Sequence, residues 1–303
     1  MPTPFARRAA LQVALAAAAR SALAAPPPIK RWRHYAQGRF GQVHFVSAAP
    51  AEAANIKRAP LVCCHASPFS GDTFRDLQDV LATDRIVHCV DTPGYGNSES
   101  PPQKPTMADY GGAIADAIAD LGYGRGQNGQ VDMFGDHTGA LCAAEVAVQR
   151  PELVRRMALS GVPHFDTAAA REEFRRKNVV HYPYFDDPSY VANLYRQSVL
   201  EAVGAGAKER LLTNFADRVR AGPNGWWGPD AVFTTDSGAT LRALDKPILL
   251  IVFNELMTQQ TRDAAKVLRR AETVEMPQLP IFGFMVAPEA VAQVLRTFLD
   301  AYG

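Results

Sequence analysis

Residues 131–150, Val-Asp-Met-Phe-Gly-Asp-His-Thr-Gly-Ala-Leu-Cys-Ala-Ala-Glu-Val-Ala-Val-Gln-Arg, most constrain what this chain can become. They read as a short apolar strand, a turn bounded by Gly135 and Gly139, and an alanine-rich helix. A strand that reverses into a helix within a few residues leaves no room for side chains flanking the turn, and glycine supplies that room. The central residue of such a turn is held in a strained conformation with its side chain exposed. Here it is His137, and histidine is among the few residue types enriched at positive φ. The spacing therefore predicts a sharp strand-turn-helix whose tip carries an imidazole.

With 303 residues, 47% of them hydrophobic, the chain can bury a large core, as one large α/β domain with an insertion or as two small domains. The formal net charge is +1 and no basic run interleaved with aromatics occurs, which argues against a nucleic-acid partner. No apolar stretch approaches the length of a membrane span. Cys63, Cys64, Cys89 and Cys142 lack metal spacing and read as small core residues. No metal or organic cofactor is expected. Residues 124–129 match G-x-G-x-x-G in letters, but they follow a helix and precede a strand, the reverse of a dinucleotide site.

Residues 1–25 differ from the rest. No acidic residue precedes Glu52, Arg7-Arg8 leads a mildly apolar run over residues 9–19, and Ala22-Leu23-Ala24 ends it just before Pro26. This layout predicts a secretory signal cut near Ala24-Ala25, hence a periplasmic protein, and the paired arginines resemble the twin-arginine type. A disordered tail or an organelle transit peptide share the composition.

Residues 30–34 and 41–47 read as an edge hairpin turning at Gln37-Gly38. Continuous apolar runs at 60–65, 85–91, 131–134, 157–161 and 247–253 predict strands buried on both faces, followed by a last strand at 273–276. Helical periodicity falls at 73–81, 107–121, 259–270 and 289–301. Strands alternating with helices predict an α/β fold with a mostly parallel sheet, helices on both faces and the 131–134 strand central. The alternation stops after His164. Residues 165–241 hold charged helical stretches and many aromatics, which predicts a mainly helical cap inserted between core segments 26–164 and 242–303.

Together these segments resemble the capped branch of the α/β-hydrolase fold superfamily. His65-Ala66-Ser67-Pro68 is similar to the family's His-Gly-x-Pro turn. Residues 91–98, Asp-Thr-Pro-Gly-Tyr-Gly-Asn-Ser, are similar to its Asp-x-x-Gly-x-Gly-x-Ser loop. The 131–150 stretch is similar to its nucleophile elbow. The resemblance implies an elbow residue pointing into a cleft under the cap. It also implies an oxyanion hole made by the N–H of Thr138 and one from the Ala66-Ser67 turn.

The departures bear on activity. The family uses Ser, acid and His in that chain order. His137 stands at the nucleophile position, Pro280-Ile281 stands where a Gly-His pair is usual, and no histidine follows His181. A triad in the family arrangement is therefore excluded. What remains is His137 as base or nucleophile, with Glu255 or Asp166 as its acid partner. Ser67 and Thr138 could orient a ligand, and Trp226 could line the entrance. His65 reads as a brace for its own loop. The expected substrate is a small apolar ester, lactone or carbonyl compound. Lyase or isomerase chemistry without a cofactor, or binding of an apolar ligand without turnover, are the alternatives; oligomeric state is not legible.

A fluorophosphonate needs a serine activated by a neighbouring base. None is expected here, so such probes should leave the purified protein unlabelled while a control serine esterase is labelled stoichiometrically. A one-to-one serine adduct in the intact mass would place the site elsewhere.

Overall fold

The computed structural model describes residues 27–125, 129–184, 186–201 and 208–301. The segment read as an export signal, part of the 124–129 loop and residues 202–207 of the insertion lie outside the described residues.

Eight strands form one sheet in the order β1-β2-β4-β3-β5-β6-β7-β8. They are β1 (Ile29–Gly38), β2 (Gly41–Pro50), β3 (Leu61–Cys64), β4 (Val87–Val90), β5 (Val131–Asp136), β6 (Val154–Ser160), β7 (Ile248–Asn254) and β8 (Ala271–Pro280). β1 and β2 form an antiparallel edge hairpin, β2 pairs antiparallel with β4, and all pairs from β4 to β8 are parallel. β5 lies inside the sheet between β3 and β6. The hairpin turns later than its pattern suggested. Gly38 pairs with Gly41, so Arg39-Phe40 make the turn. The glycine that adopts positive φ is Gly41, at 106°, and its position decides where the chain reverses.

The helices in chain order are α1 (Arg75–Leu81), α2 (Met107–Asp120), α3 (Thr138–Gln149), α4 (Ala168–Asn178), α5 (Ser189–Tyr195), α6 (Lys208–Arg220), α7 (Trp227–Thr234), α8 (Ser237–Ala243), α9 (Thr258–Ala264), α10 (Gly283–Val286) and α11 (Pro288–Leu299). α2 starts at a capping box, in which Thr106 Oγ1 accepts the Asp109 amide and the Asp109 carboxyl accepts the Thr106 amide. It packs closely on α3, where a Cβ at Gly111 would fall 2.2 Å from Glu145 Cβ.

The sheet separates two apolar cores. Val131 and Met133 of β5 join the core that holds α2 and α3, whereas Phe134 joins the core that holds α1 and α11. That alternation is the two-residue period of a strand covered on both sides. All four cysteines are buried and free. Among the described residues no helix is long and apolar enough to cross a membrane.

α4 to α8 lie between β6 and β7 and contact the loops that leave β3 and β4. Asp217 of α6 accepts the Ser70 hydroxyl at 2.6 Å, and Lys104 reaches Asp230 of α7 at 2.6 Å. The Tyr95 hydroxyl donates to Gly225 O at 3.0 Å and accepts Gly228 N–H at 2.7 Å.

Phe134 is fully buried and packs edge-on against Phe74 and Phe284, with ring centroids 5.5 and 5.7 Å away. Phe134→Ala should cost about 3–5 kcal/mol in a reversible denaturant titration. A loss under 1 kcal/mol (roughly the level of a surface change) would mean that this core is not packed as described.

Candidate active site

The elbow forms because backbone passes backbone there. A Cβ at Gly139 would fall 1.9 Å from Cys64 O, and one at Gly135 would fall 2.4 Å from Gly139 O. Between them His137 adopts φ 51° and ψ −114°, a strained conformation for a residue with a side chain. Its amide donates to Ser160 O at 3.0 Å, and its carbonyl accepts the Ala140 amide at 2.9 Å. The imidazole lies over the bare Cα of Gly161, where a Cβ would approach Cδ2 to 2.4 Å. Residue 161 must be glycine for the ring to sit there.

Nε2 of His137 is 3.0 Å from Oε2 of Glu255, whose side chain is 2% exposed at the end of β7. The contact is an ion pair rather than a well-aligned hydrogen bond, since that oxygen has no aligned donor. Among the described residues Nδ1 has no hydrogen-bond partner, and the side chain keeps 19% of its surface open. The cleft next to it has a volume of about 460 Å³. Asp136 is buried behind the elbow and accepts the Ser160 hydroxyl at 2.6 Å.

Three ionisable groups therefore share one low-dielectric region. Burial works against the imidazolium, but the Asp136 charge and the Glu255 contact outweigh it and raise the His137 pKa to about 9. Burial pushes the Asp136 carboxyl up to about 6, with the His137 charge and the Ser160 bond pulling the other way. Both carboxylates favour the charged ring, in which both nitrogens hold protons and the imidazolium is an acid and a cation; a base or nucleophile at this position is the deprotonated form.

Of the two candidate partners, only Glu255 reaches His137. Asp166 is 72% exposed and lies 3.7 Å from His164 Nε2 instead. The reason is that β6 ends at Ser160 and the chain leaves the sheet before Asp166. Ala66, Ser67 and Thr138 all line the cleft with His137. Thr138 opens α3, so its amide has no intrahelical acceptor and sits at the positive end of the helix dipole. The Ser67 hydroxyl is buried beside that of Tyr95 without an aligned hydrogen bond.

Trp226 is not in the cleft wall. Its ring stacks on His181, with centroids 3.9 Å apart, and Lys104 Nζ lies 5.3 Å from the ring centre. His65 is fully buried: Nδ1 donates to Ala66 O at 2.9 Å, and Nε2 accepts the Thr92 amide at 3.0 Å. Asp91 pins the next loop by accepting from Gly71 N, Asn97 N and His44. Burial opposes its ionisation, but those donors hold the carboxyl below its ordinary range.

Among the wall residues not expected from sequence are Ile281, Phe282 and Arg218. Ile281 and Phe282 line the cleft beside the family's histidine position, and Phe282 adopts φ 57° with its ring 6.1 Å from that of His137. Arg218 also lines the cleft; in the sequence it stands within a charged helical stretch of the insertion and was not singled out.

A family model described as alpha/beta hydrolase fold matches residues 59–220. The chain belongs to the α/β-hydrolase fold family, and its relatives are hydrolases. It is 25% identical over 156 residues to (E)-2-((N-methylformamido)methylene)succinate hydrolase of Acinetobacter baylyi, a match spanning 51% of this chain and 57% of that relative. The fold is similar to an enol-lactonase from Burkholderia xenovorans, with TM-score 0.66, 16% identity, 88% of this chain and 100% of that one covered. It is also similar to an epoxide hydrolase from Vigna radiata, with TM-score 0.69, 15% identity, 90% of this chain and 98% of that one covered.

The raised pKa of His137 makes stability depend on pH. A pKa raised from 6.5 to about 9 gives stability that is fully present below pH 6.5 and is lost as pH rises through about 9. NMR of the ring should show a midpoint near pH 9, and Glu255→Gln should move it down by roughly one unit or more. A midpoint at or below 6.5 in the wild type would refute the imidazolium assignment.

Proposed function

We propose that this chain is an enzyme of hydrolase type acting on a small apolar ester, lactone or other carbonyl compound, with His137 as a protonated acid. The observation that carries this reading is the His137–Glu255 contact at 3.0 Å, which leaves Nδ1 free beside the cleft. In this reading the helical insertion is a cap, and the substrate carbonyl lies between the Thr138 amide and the Ala66-Ser67 turn. A water molecule in the cleft adds to the carbonyl carbon, and the charge that develops on oxygen is met by those donors and by the imidazolium; collapse of the adduct expels the leaving oxygen, which takes the Nδ1 proton, and the proton shed by the added water restores the ring. Glu255 holds the ring in place and keeps it charged. The hydrolase and enol-lactonase relatives support a carbonyl substrate.

The same protonated ring supports a second reading, a lyase or isomerase without a cofactor. There the imidazolium would hold an enolate oxygen or return a proton to its carbon. Both readings need Nδ1–H and neither needs a nucleophile at the elbow.

Turnover should be sought with panels of aryl esters, enol lactones and epoxides. Activity should fall as pH passes about 9, where the ring loses its proton. His137→Ala should lower kcat by roughly 10²–10⁴, the usual scale for a positioned acid. His137→Ser should not give an efficient esterase, because Ile281 and Phe282 offer no base to activate a new hydroxyl. Robust esterase activity in that variant, or full activity in His137→Ala, would remove His137 from the mechanism. Ligand-induced thermal shifts without any turnover would instead support a binding protein.

A further inference from the structure

A second, smaller cavity of about 170 Å³ adjoins the His137 cleft, and the two share Phe69, Arg218, Ile281 and Phe282 as walls. One face of α6 closes it: Leu211, Phe215 and Arg218 follow at helical spacing. Its remaining walls are mainly apolar, with Met285 and Val286 from α10. A dry apolar cavity of roughly 150 Å³ takes a benzene-sized group. This chamber therefore has room for a phenyl ring or a short hydrocarbon chain.

Charge on the walls of the two spaces is one-sided. Arg218 and His137 face them and no Asp or Glu lines either one; Glu255 pairs with His137 from behind at 3.0 Å, which leaves Arg218 as the wall cation without a counter-charge. Arg218 forms no ion pair among the described residues; its side chain stands against the Tyr182 hydroxyl, and only its backbone oxygen accepts, from Tyr184. The adjacent Asp217 is turned into the core onto Ser70, at 2.6 Å, so it does not neutralise the guanidinium. A guanidinium on an apolar wall without a counter-charge is a fork-shaped receptor for an anion, and a carboxylate matches its two parallel N–H groups.

We propose that Arg218 binds a carboxylate at the junction of the two cavities, so that the substrate is an apolar carboxylic acid anion whose hydrocarbon part enters the side chamber. This rests on the reading of the His137 cleft as the substrate site, and it assigns that site's substrate class. A phosphate ester would call for more donors than one guanidinium on apolar walls supplies. In this arrangement the part of the substrate carrying the reactive carbonyl extends from Arg218 toward Thr138 and His137.

The test measures binding, so it does not depend on turnover. Calorimetry at pH 7 with the full chain compares 3-phenylpropanoate, 3-phenylpropanamide and 3-phenylpropyl phosphate. The acid should bind, and the amide should bind at least roughly tenfold more weakly. Arg218→Gln should weaken the acid by roughly ten- to a hundredfold without changing the amide, and Arg218→Lys should restore part of the loss. Thermal melts of both variants show that they are folded. Three results overturn the proposal: an amide that binds as well as the acid, an acid affinity within twofold in Arg218→Gln, or phosphate binding tighter than the acid. Loss of acid binding in His137→Gln alone would also overturn it, by moving the carboxylate to the imidazolium. An inert enzyme that still shows this pattern keeps the Arg218 assignment and rejects only the catalytic reading.

Discussion

The approach of the elbow backbone to β3 is the constraint on which the site depends. Gly139 can lie against Cys64 O only because it has no side chain, and Gly135 meets the start of α3 in the same way. Those contacts force residue 137 into positive φ and aim its side chain out of the sheet. They also put the start of α3 next to the Ala66-Ser67 turn, and both line one cleft. Gly161 adds a third close approach, this time of side chain to backbone. With those three positions fixed, the imidazole has one place to lie and Glu255 lies at its edge.

The consequence is electrostatic. An imidazole confined between Asp136 and Glu255 has its pKa raised, because both carboxylates favour the charged ring. Burial alone would do the opposite, as it does at His65, where no carboxylate is in direct contact and the pKa falls. The two histidines are both in turns after inner strands, and their neighbours set their charge in opposite directions. The cleft is then a mainly apolar space in which Arg218 is the charged wall group without a carboxylate partner among the described residues.

Most of the fold was legible because its signals are redundant. Doubly buried strands, helical periodicity between them and glycine-bounded turns all point to one parallel sheet, and the observed elements differ mainly at their ends. The elbow was legible for the same reason, since Gly135 and Gly139 have one steric explanation. The charge state of His137 was not legible: it depends on Asp136 lying behind the turn and Glu255 beside it, and sequence gave no sign of which opposing effect prevails. Asp166 was a plausible partner by chain position, but the exit path of the chain after Ser160 takes it to the surface. Trp226 was read from its loop-like setting, which says nothing about which way a ring faces. Arg218 escaped notice because a charged residue on a charged helix has a bland default, and only the packing of α6 over Phe282 gives it a cavity to face.

The pairing of His137 with Glu255 explains why the loop after β8 can be apolar. In the family arrangement an acid after β7 orients a histidine on that loop, and the histidine in turn serves the elbow. Here the acid reaches the elbow residue directly, at 3.0 Å, so no intermediary is needed to fix the ring. Ile281 and Phe282 are then free to serve as wall, and they close both the cleft and the side chamber. A histidine restored at position 281 would be a second cation competing for the same Glu255 carboxyl in a region that already holds an imidazolium. The elbow histidine takes the acid that the usual triad gives to that loop, and the loop is left to close the cleft with apolar side chains.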